Sequence, residues 1–206
     1  MSEDSSKNGG SGPGWRKLAE RPVYDNRWIR VTEFDVVAPT GAEGIYGLVH
    51  FKNLAVGVVP IDDTGCTILI GQDRFTSGAY SWELPEGGGR RDLAPEEAAR
   101  RELSEEAGLG ARNWAPLFSD VQMSNSVTDE LAYAFLAWDL FPDARWEKDA
   151  TEALSVRRVP FPAAVEMAVS GEIVDAFSLV MLLKADHLAR TKKLPADLAG
   201  LMLGGQ

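Results

Sequence analysis

The chain has 206 residues, 45% of them hydrophobic, enough to build one well-buried domain. Lys and Arg total 21 against 31 Asp and Glu, a net charge of −10. That balance argues against a nucleic-acid polymer as partner, because neutralising phosphates needs a basic footprint. No run of 18 or more apolar residues is present to cross a bilayer, and no basic segment followed by an apolar stretch marks secretion. The single cysteine, Cys66, excludes an intramolecular disulfide, so a cytoplasmic protein without a membrane partner is expected. With His50 and His187 widely separated, a structural zinc site is not expected, and both rings are read as packed or surface groups.

Residues 1–14 hold little to bury and read as a disordered tail. Residues 15–53 form an N-terminal strand region: 28–37 is β-branched and aromatic, Pro39-Thr40-Gly41 is a turn, and residues 45–52 return. The apolar runs 55–61 and 66–70, joined by Asp62-Asp63-Thr64-Gly65, look like a buried hairpin. A strand-like piece at 82–85 leads into Gly87-Gly88-Gly89, whose bare backbone would let a ligand approach or the chain bend tightly. The clearest helix spans 95–107: Pro95 suits its first turn, Glu96 and Glu97 its positive end, and Gly108 its stop. Further strands are expected at 115–123, 131–140 and 156–161, and helices at 163–170 and 177–190, with 193–206 as a C-terminal tail. Strands and helices do not alternate as βαβα, so the class is α+β with a mixed sheet.

The helix at 95–107 carries the chemistry. Glu102 and Glu106 are one turn apart on a shared face and Glu105 borders it. Like charges at that spacing repel, so something must offset them; Arg101, four before Glu105, can pair with it and leave Glu102 and Glu106 available. Carboxylates on rigid backbone are what Mg²⁺ or Mn²⁺ take as ligands. A solvated acidic helix face is the alternative reading of the same residues.

The segment 87–109 resembles the Nudix box, a Gly followed by an isolated Glu and then by Arg-Glu-apolar-x-Glu-Glu-x-Gly-apolar. Gly87, Arg101, Glu102, Leu103, Glu105, Glu106, Gly108 and Leu109 fall in register. Leu93 stands where the isolated Glu is expected, with Asp92 beside it as an imperfect substitute. Gly71-Gln72-Asp73-Arg74, Trp82-Glu83-Leu84-Pro85-Glu86-Gly87 and Ser124-Asn125-Ser126-Val127-Thr128-Asp129-Glu130 extend the likeness to the ADP-ribose and nucleoside-diphosphate-sugar pyrophosphatase branch, over about residues 15–190.

The resemblance implies a Nudix fold in residues 54–192, a mixed sheet sandwiched between helices, with the N-terminal antiparallel strands at 15–53 as a homodimer contact. It implies Mg²⁺, with Mn²⁺ possible, held by Glu102, Glu106, Glu105 and Glu86, the last through its backbone carbonyl. Arg101 and Glu105 belong to the catalytic machinery, and Glu130 matches a loop carboxylate that acts as general base or further ligand. Arg74 is a phosphate clamp or an ion pair, Glu83 a nucleotide contact or a strand residue, and Trp28 a base-stacking ring or a packing residue. Gly87 lets backbone meet the substrate, and Cys66 is a passive core or turn residue. The implied reaction is hydrolysis of the diphosphate of ADP-ribose or a related nucleotide sugar to a nucleoside monophosphate and a sugar phosphate. Asn125 replaces a Pro common in ADP-ribose enzymes, so a GDP-mannose-type enzyme stays open, as does a non-catalytic Nudix-like binding domain motivated by Leu93.

Overall fold

The computed structural model describes residues 14–143, 145 and 153–204. The chain divides into two units. One comprises the N-terminal residues up to Phe51 together with Ser126–Asp129. Its strands β1 (Arg16–Asp25), β2 (Ile29–Val37) and β3 (Glu43–Phe51) form an antiparallel meander in that order. Gly41, with φ +88°, makes the turn between β2 and β3 where the Pro-Thr-Gly signal expects it. Segment 126–129 lies along β3: Val49 and Thr128 bridge in parallel, the Tyr46 hydroxyl donates to the Ser126 carbonyl, and Asp129 accepts from the Phe51 amide at 3.0 Å. His50 Nδ1 meets Asp129 at 2.5 Å, so this ring is an ion-pair or hydrogen-bond partner, in line with its reading as a surface group.

The other unit holds β4 (Asn53–Ile61), β5 (Cys66–Arg74), β6 (Ala79–Glu83), β7 (Glu86–Arg90), α1 (Pro95–Ala107), β8 (Leu109–Gln122), β9 (Leu131–Pro142), β10 (Ser155–Pro160), α2 (Phe161–Ser170), α3 (Ala176–Arg190) and α4 (Ala196–Met202). Its larger sheet runs β7-β4-β9-β8, with β4 and β9 parallel and the other pairs antiparallel. Alternation along the central strands explains why both are apolar throughout. On β4, Leu54, Val56 and Val58 join the core under α1 with Ala98, Ala99 and Leu103, while Val59 and Ile61 face the core built by α2, α3 and α4. On β9, Phe135 and Ala137 face the α1 side, and Ala132, Ala134 and Leu136 face the other. Helices therefore cover both faces of a mixed sheet, the layered arrangement expected.

The expected hairpin of β4 and β5 does not form. Asp62 closes the turn between them, accepting from the Thr64 and Cys66 amides at 2.9 Å, and Gly65 takes φ +78°. Beyond that turn β5 leaves the sheet of β4 and pairs with β6 and β10 in a separate three-stranded sheet. Two strands that are apolar on both faces carry no pattern that selects their partners. Two other differences have local causes. β8 begins at Leu109, before the apolar alternation starts, because its first residues pair with the end of β9. Within the expected tail, α4 forms and inserts Leu198 and Met202 into the larger core; packing supplies what seven residues with an internal glycine lack in propensity. Among the described residues, no helix is long and apolar enough to cross a membrane.

Candidate active site

Helix α1 has the expected bounds, with Pro95 in its first turn and Gly108 at φ +68°, its amide donating to the Leu103 and Ser104 carbonyls. The glycine run forms strand β7, antiparallel to β4 through Gly87↔Val56 and Gly89↔Leu54, rather than a tight bend. Its bareness lets α1 come close. A Cβ on Gly89 would stand 3.0 Å from Ala98 Cβ and Val56 Cγ1. One on Gly87 would stand 2.5–2.7 Å from the carboxyl carbon and both oxygens of Glu102. The space a side chain would take at Gly87 is filled by the Glu102 carboxylate.

Glu102 and Glu106 are both buried, with 7% and 4% of their surfaces exposed, which excludes the solvated acidic face as the account of this helix. Glu106 accepts from the Glu86 amide at 3.0 Å, tying α1 to the start of β7. Arg101 was expected to pair with Glu105 and leave Glu102 available. It holds both: Nη1 meets Glu105 at 2.5 Å, Nη2 meets Glu102 at 2.5 Å, and Nη2 also donates to the Gly88 carbonyl at 3.0 Å. The planar fork of guanidinium reaches two carboxylates and a carbonyl at once, so pairing at i+4 does not exhaust it. Asp92 does not take the place of the missing box Glu. It pairs with Arg90 at 2.6 Å on the surface, and Leu93 is 46% exposed.

A second group of charges adjoins the first through Glu86. Glu83, 2% exposed at the end of β6, accepts from Arg74 Nε at 2.9 Å, and Arg74 lies 3.8 Å from Glu86. Arg74 thus pairs within the chain with Glu83, a buried strand residue. The Ser178 hydroxyl donates to Glu86 at 3.2 Å and accepts from the Leu84 amide at 2.8 Å. Asp175 caps α3 by accepting from the Ser178 amide at 2.6 Å. Burial, with the nearby Asp175 and Glu83 carboxylates, pushes the Glu86 carboxyl well above its ordinary range. Neither Asp175 nor Ser178 stands out in the sequence as a site residue. Their Asp-x-x-Ser spacing announces a helix start, but nothing in it says that the cap faces Glu86.

The raised Glu86 carboxyl sets a pH dependence. A carboxyl raised in the folded chain binds more protons there than when unfolded, so its contribution to stability is present below the ordinary carboxyl range. That contribution is lost as pH rises through the folded value. In chelator, the thermal midpoint of the wild type is expected to gain on Glu86→Gln as pH falls from neutral toward about 5. Parallel midpoints of the two chains across that range would contradict this.

Glu130 precedes β9, whose Leu131 pairs with Gln122, and its carbonyl accepts from the Met123 amide at 3.5 Å. Trp28 belongs to the N-terminal unit; it is 54% exposed, with the Arg27 guanidinium 3.8 Å from the ring centre. Cys66 is buried, as expected.

Among the described residues, no three His, Cys, Asp or Glu side chains stand ready-made around a cation. The donor set nonetheless fits one. Every group is a carboxylate or carbonyl oxygen, the choice of Mg²⁺ and Mn²⁺. Glu102 lies in a cradle that a Cβ on Gly87 would fill, and the charge around Glu86 exceeds what Arg74 offsets. Arg101 competes with a cation for Glu102 and Glu105.

Residues 51–177 match the NUDIX domain, and residues 15–49 match the nucleoside diphosphate sugar hydrolase N-terminal domain. The chain belongs to the Nudix family. It is 31% identical over 183 residues to the CMP-5′-(N-acetyl-N-hydroxy-3-aminopropyl)phosphonate hydrolase of Streptomyces rubellomurinus, covering 88% of this chain and 86% of that protein. It is 35% identical over 146 residues to the ADP-ribose pyrophosphatase of Mycobacterium tuberculosis, covering 69% and 68%. The crystal structure of an ADP compounds hydrolase matches the Nudix fold seen here with a TM-score of 0.80, over 89% of this chain and 98% of that one at 24% identity.

Proposed function

We propose that this Nudix chain is a divalent-cation-dependent hydrolase that cleaves the diphosphate bond of ADP-ribose or a related nucleoside diphosphate sugar. Its products are a nucleoside monophosphate and a sugar phosphate. The observation that carries this reading is the seating of buried carboxylates on bare backbone, Glu102 against Gly87 and Glu106 on the Glu86 amide. A surface helix has no reason to bury two like charges one turn apart.

In this reading Glu102, Glu106, Glu105 and the Glu86 carbonyl hold Mg²⁺, with Mn²⁺ as a substitute. When bound, such a cation neutralises diphosphate oxygens and orients the attacking water. Arg101 sets the spacing of Glu102 and Glu105. Ser178 and Arg74 hold the Glu86 segment from the opposite side. Glu130 takes the proton from the attacking water, a task suited to a carboxylate. Glu130→Gln is therefore expected to lower kcat by about 10²–10⁴-fold with little change in KM. An unaltered kcat would remove Glu130 from the mechanism.

The match of residues 15–49 and the mycobacterial relative support a nucleotide sugar as substrate. The Streptomyces relative aligns with more of the chain and favours a second reading, a CMP-linked phosphonate. The test is a panel of ADP-ribose, GDP-mannose and a CMP-linked phosphonate, each with Mg²⁺ and with chelator. ADP-ribose is expected to turn over fastest, and in ¹⁸O-labelled water the label is expected in AMP. Faster turnover of the CMP conjugate would install the second reading, and label in the sugar phosphate would move the attack to the distal phosphorus.

A homodimer is the assembly we infer. It is supported by β1, exposed at every residue, and by Leu18, Tyr24 and Ile45, large apolar side chains open on the same three-stranded sheet, with Trp15 exposed just before it. The cytoplasm is the setting inferred from the lone, buried Cys66.

A further inference from the structure

A cavity of about 550 Å³ opens beside α1, and neither Glu102 nor Glu106 is among its described lining residues. Among the described residues, four arginines line it, Arg90, Arg100, Arg101 and Arg145, against one carboxylate, Glu97. Gly88, Asn53, Ala98 and Leu93 complete the wall. The carboxylates that pair with these arginines do not line the cavity. Arg90 meets Asp92 at 2.6 Å, Arg100 meets Glu96 at 2.7 Å and Arg145 meets Asp143 at 2.8 Å. In each pair the carboxylate takes the Nε and Nη2 edge of the guanidinium. Among the described residues no hydrogen bond engages Nη1 of these three arginines, so each planar fork keeps a donor edge for a second anion. Leu93 sharpens the imbalance, because it stands where the box pattern places a glutamate, and a carboxylate there would face the same arginines.

We propose that this arginine-lined cavity is a second anion site, which takes a phosphate-type dianion beside the carboxylate helix. Among the described residues, Arg90, Arg100, Arg145 and Asn53 line this pocket with Glu97 as the one acid, and guanidinium groups are suited to planar recognition of phosphate oxygens. The occupant has two sources of identical chemistry, free phosphate or the distal phosphate of a bound substrate. Arg101 lines the cavity and also holds Glu102 and Glu105, so the occupant draws on the guanidinium that sets the spacing of those carboxylates.

The test uses the full chain in chelator, with inorganic phosphate as probe and binding read by ³¹P line broadening and calorimetry. Without a cation, phosphate has no route to the α1 carboxylates, so this readout does not depend on turnover. The wild type is expected to bind phosphate saturably at about 1 mM or tighter. Leu93→Glu, at a half-exposed position that costs no core packing, is expected to weaken binding about tenfold or more, and so is Arg90→Gln. A competition arm distinguishes the two sources. If phosphate raises KM for the nucleotide sugar in the wild type and not in Leu93→Glu, the distal phosphate of the substrate uses the site. If phosphate binds without changing KM, the site serves a free anion. Absence of saturable binding, or equal binding by wild type and both variants, overturns the proposal.

Discussion

Glu106→Gln is expected to lower kcat/KM by at least about 10²–10³-fold, the scale of the several kcal/mol that a bound cation contributes to transition-state charge. The substitution is nearly isosteric, and the amide oxygen still accepts from the Glu86 backbone, so the contact at 3.0 Å survives. What is lost is a formal charge at a position 4% exposed, where α1 and β7 meet. Folding should therefore be untouched or improved, since one buried anion has gone. The checks are steady-state kinetics across a Mg²⁺ titration and a thermal melt in chelator. A variant that keeps wild-type kcat/KM at every Mg²⁺ concentration would remove Glu106 from the chemistry.

Gly87→Ala is expected to cost about 10²-fold in kcat/KM with little loss of stability. Gly87 lies within a strand and does not take a positive φ, so alanine suits its backbone and trims the entropy of the unfolded chain. The cost is steric and local. The new methyl would fall 2.5–2.7 Å from the Glu102 carboxylate, which must swing off β7. A displacement near 1 Å of a group that positions reactants is enough for an effect of about this size. Gly88→Ala is the control: its Cβ would meet the Asn53 amide at 3.1 Å, the end of a side chain that can give. Equal activity losses in the two variants would show that glycine is needed for backbone reasons and not for Glu102.

The features legible in the sequence share one property: they are written locally. Pro95, Glu96, Glu97 and Gly108 mark both ends of α1, and those bounds recur in the fold. The register of Glu102, Glu105 and Glu106 follows from helical spacing alone. What was not legible depends on partners far along the chain. The apolar runs of β4 and β5 predict burial but not pairing, so the tight turn between them suggests a hairpin although the strands enter different sheets. Three consecutive glycines suggest a ligand's approach or a tight bend, yet they form a strand that leaves α1 the space their side chains would fill. Arg101 was assigned one partner by spacing and has three by geometry. Ser178, in the helix that Asp175 caps, reaches Glu86 across about ninety residues, and no periodicity reports such a contact.

The central claim is that buried carboxylates on α1 serve a cation-dependent cleavage, rather than a binding site that has kept the shape of an enzyme. ADP-ribose hydrolysis followed against free Mg²⁺, with thermal stabilisation by the same ligand measured in parallel, tests it most directly. The account predicts AMP and ribose phosphate in equal amounts, at a rate that saturates with Mg²⁺ and vanishes in chelator. Stabilisation by ADP-ribose that is as strong in chelator as in Mg²⁺, with no turnover in either, would contradict it.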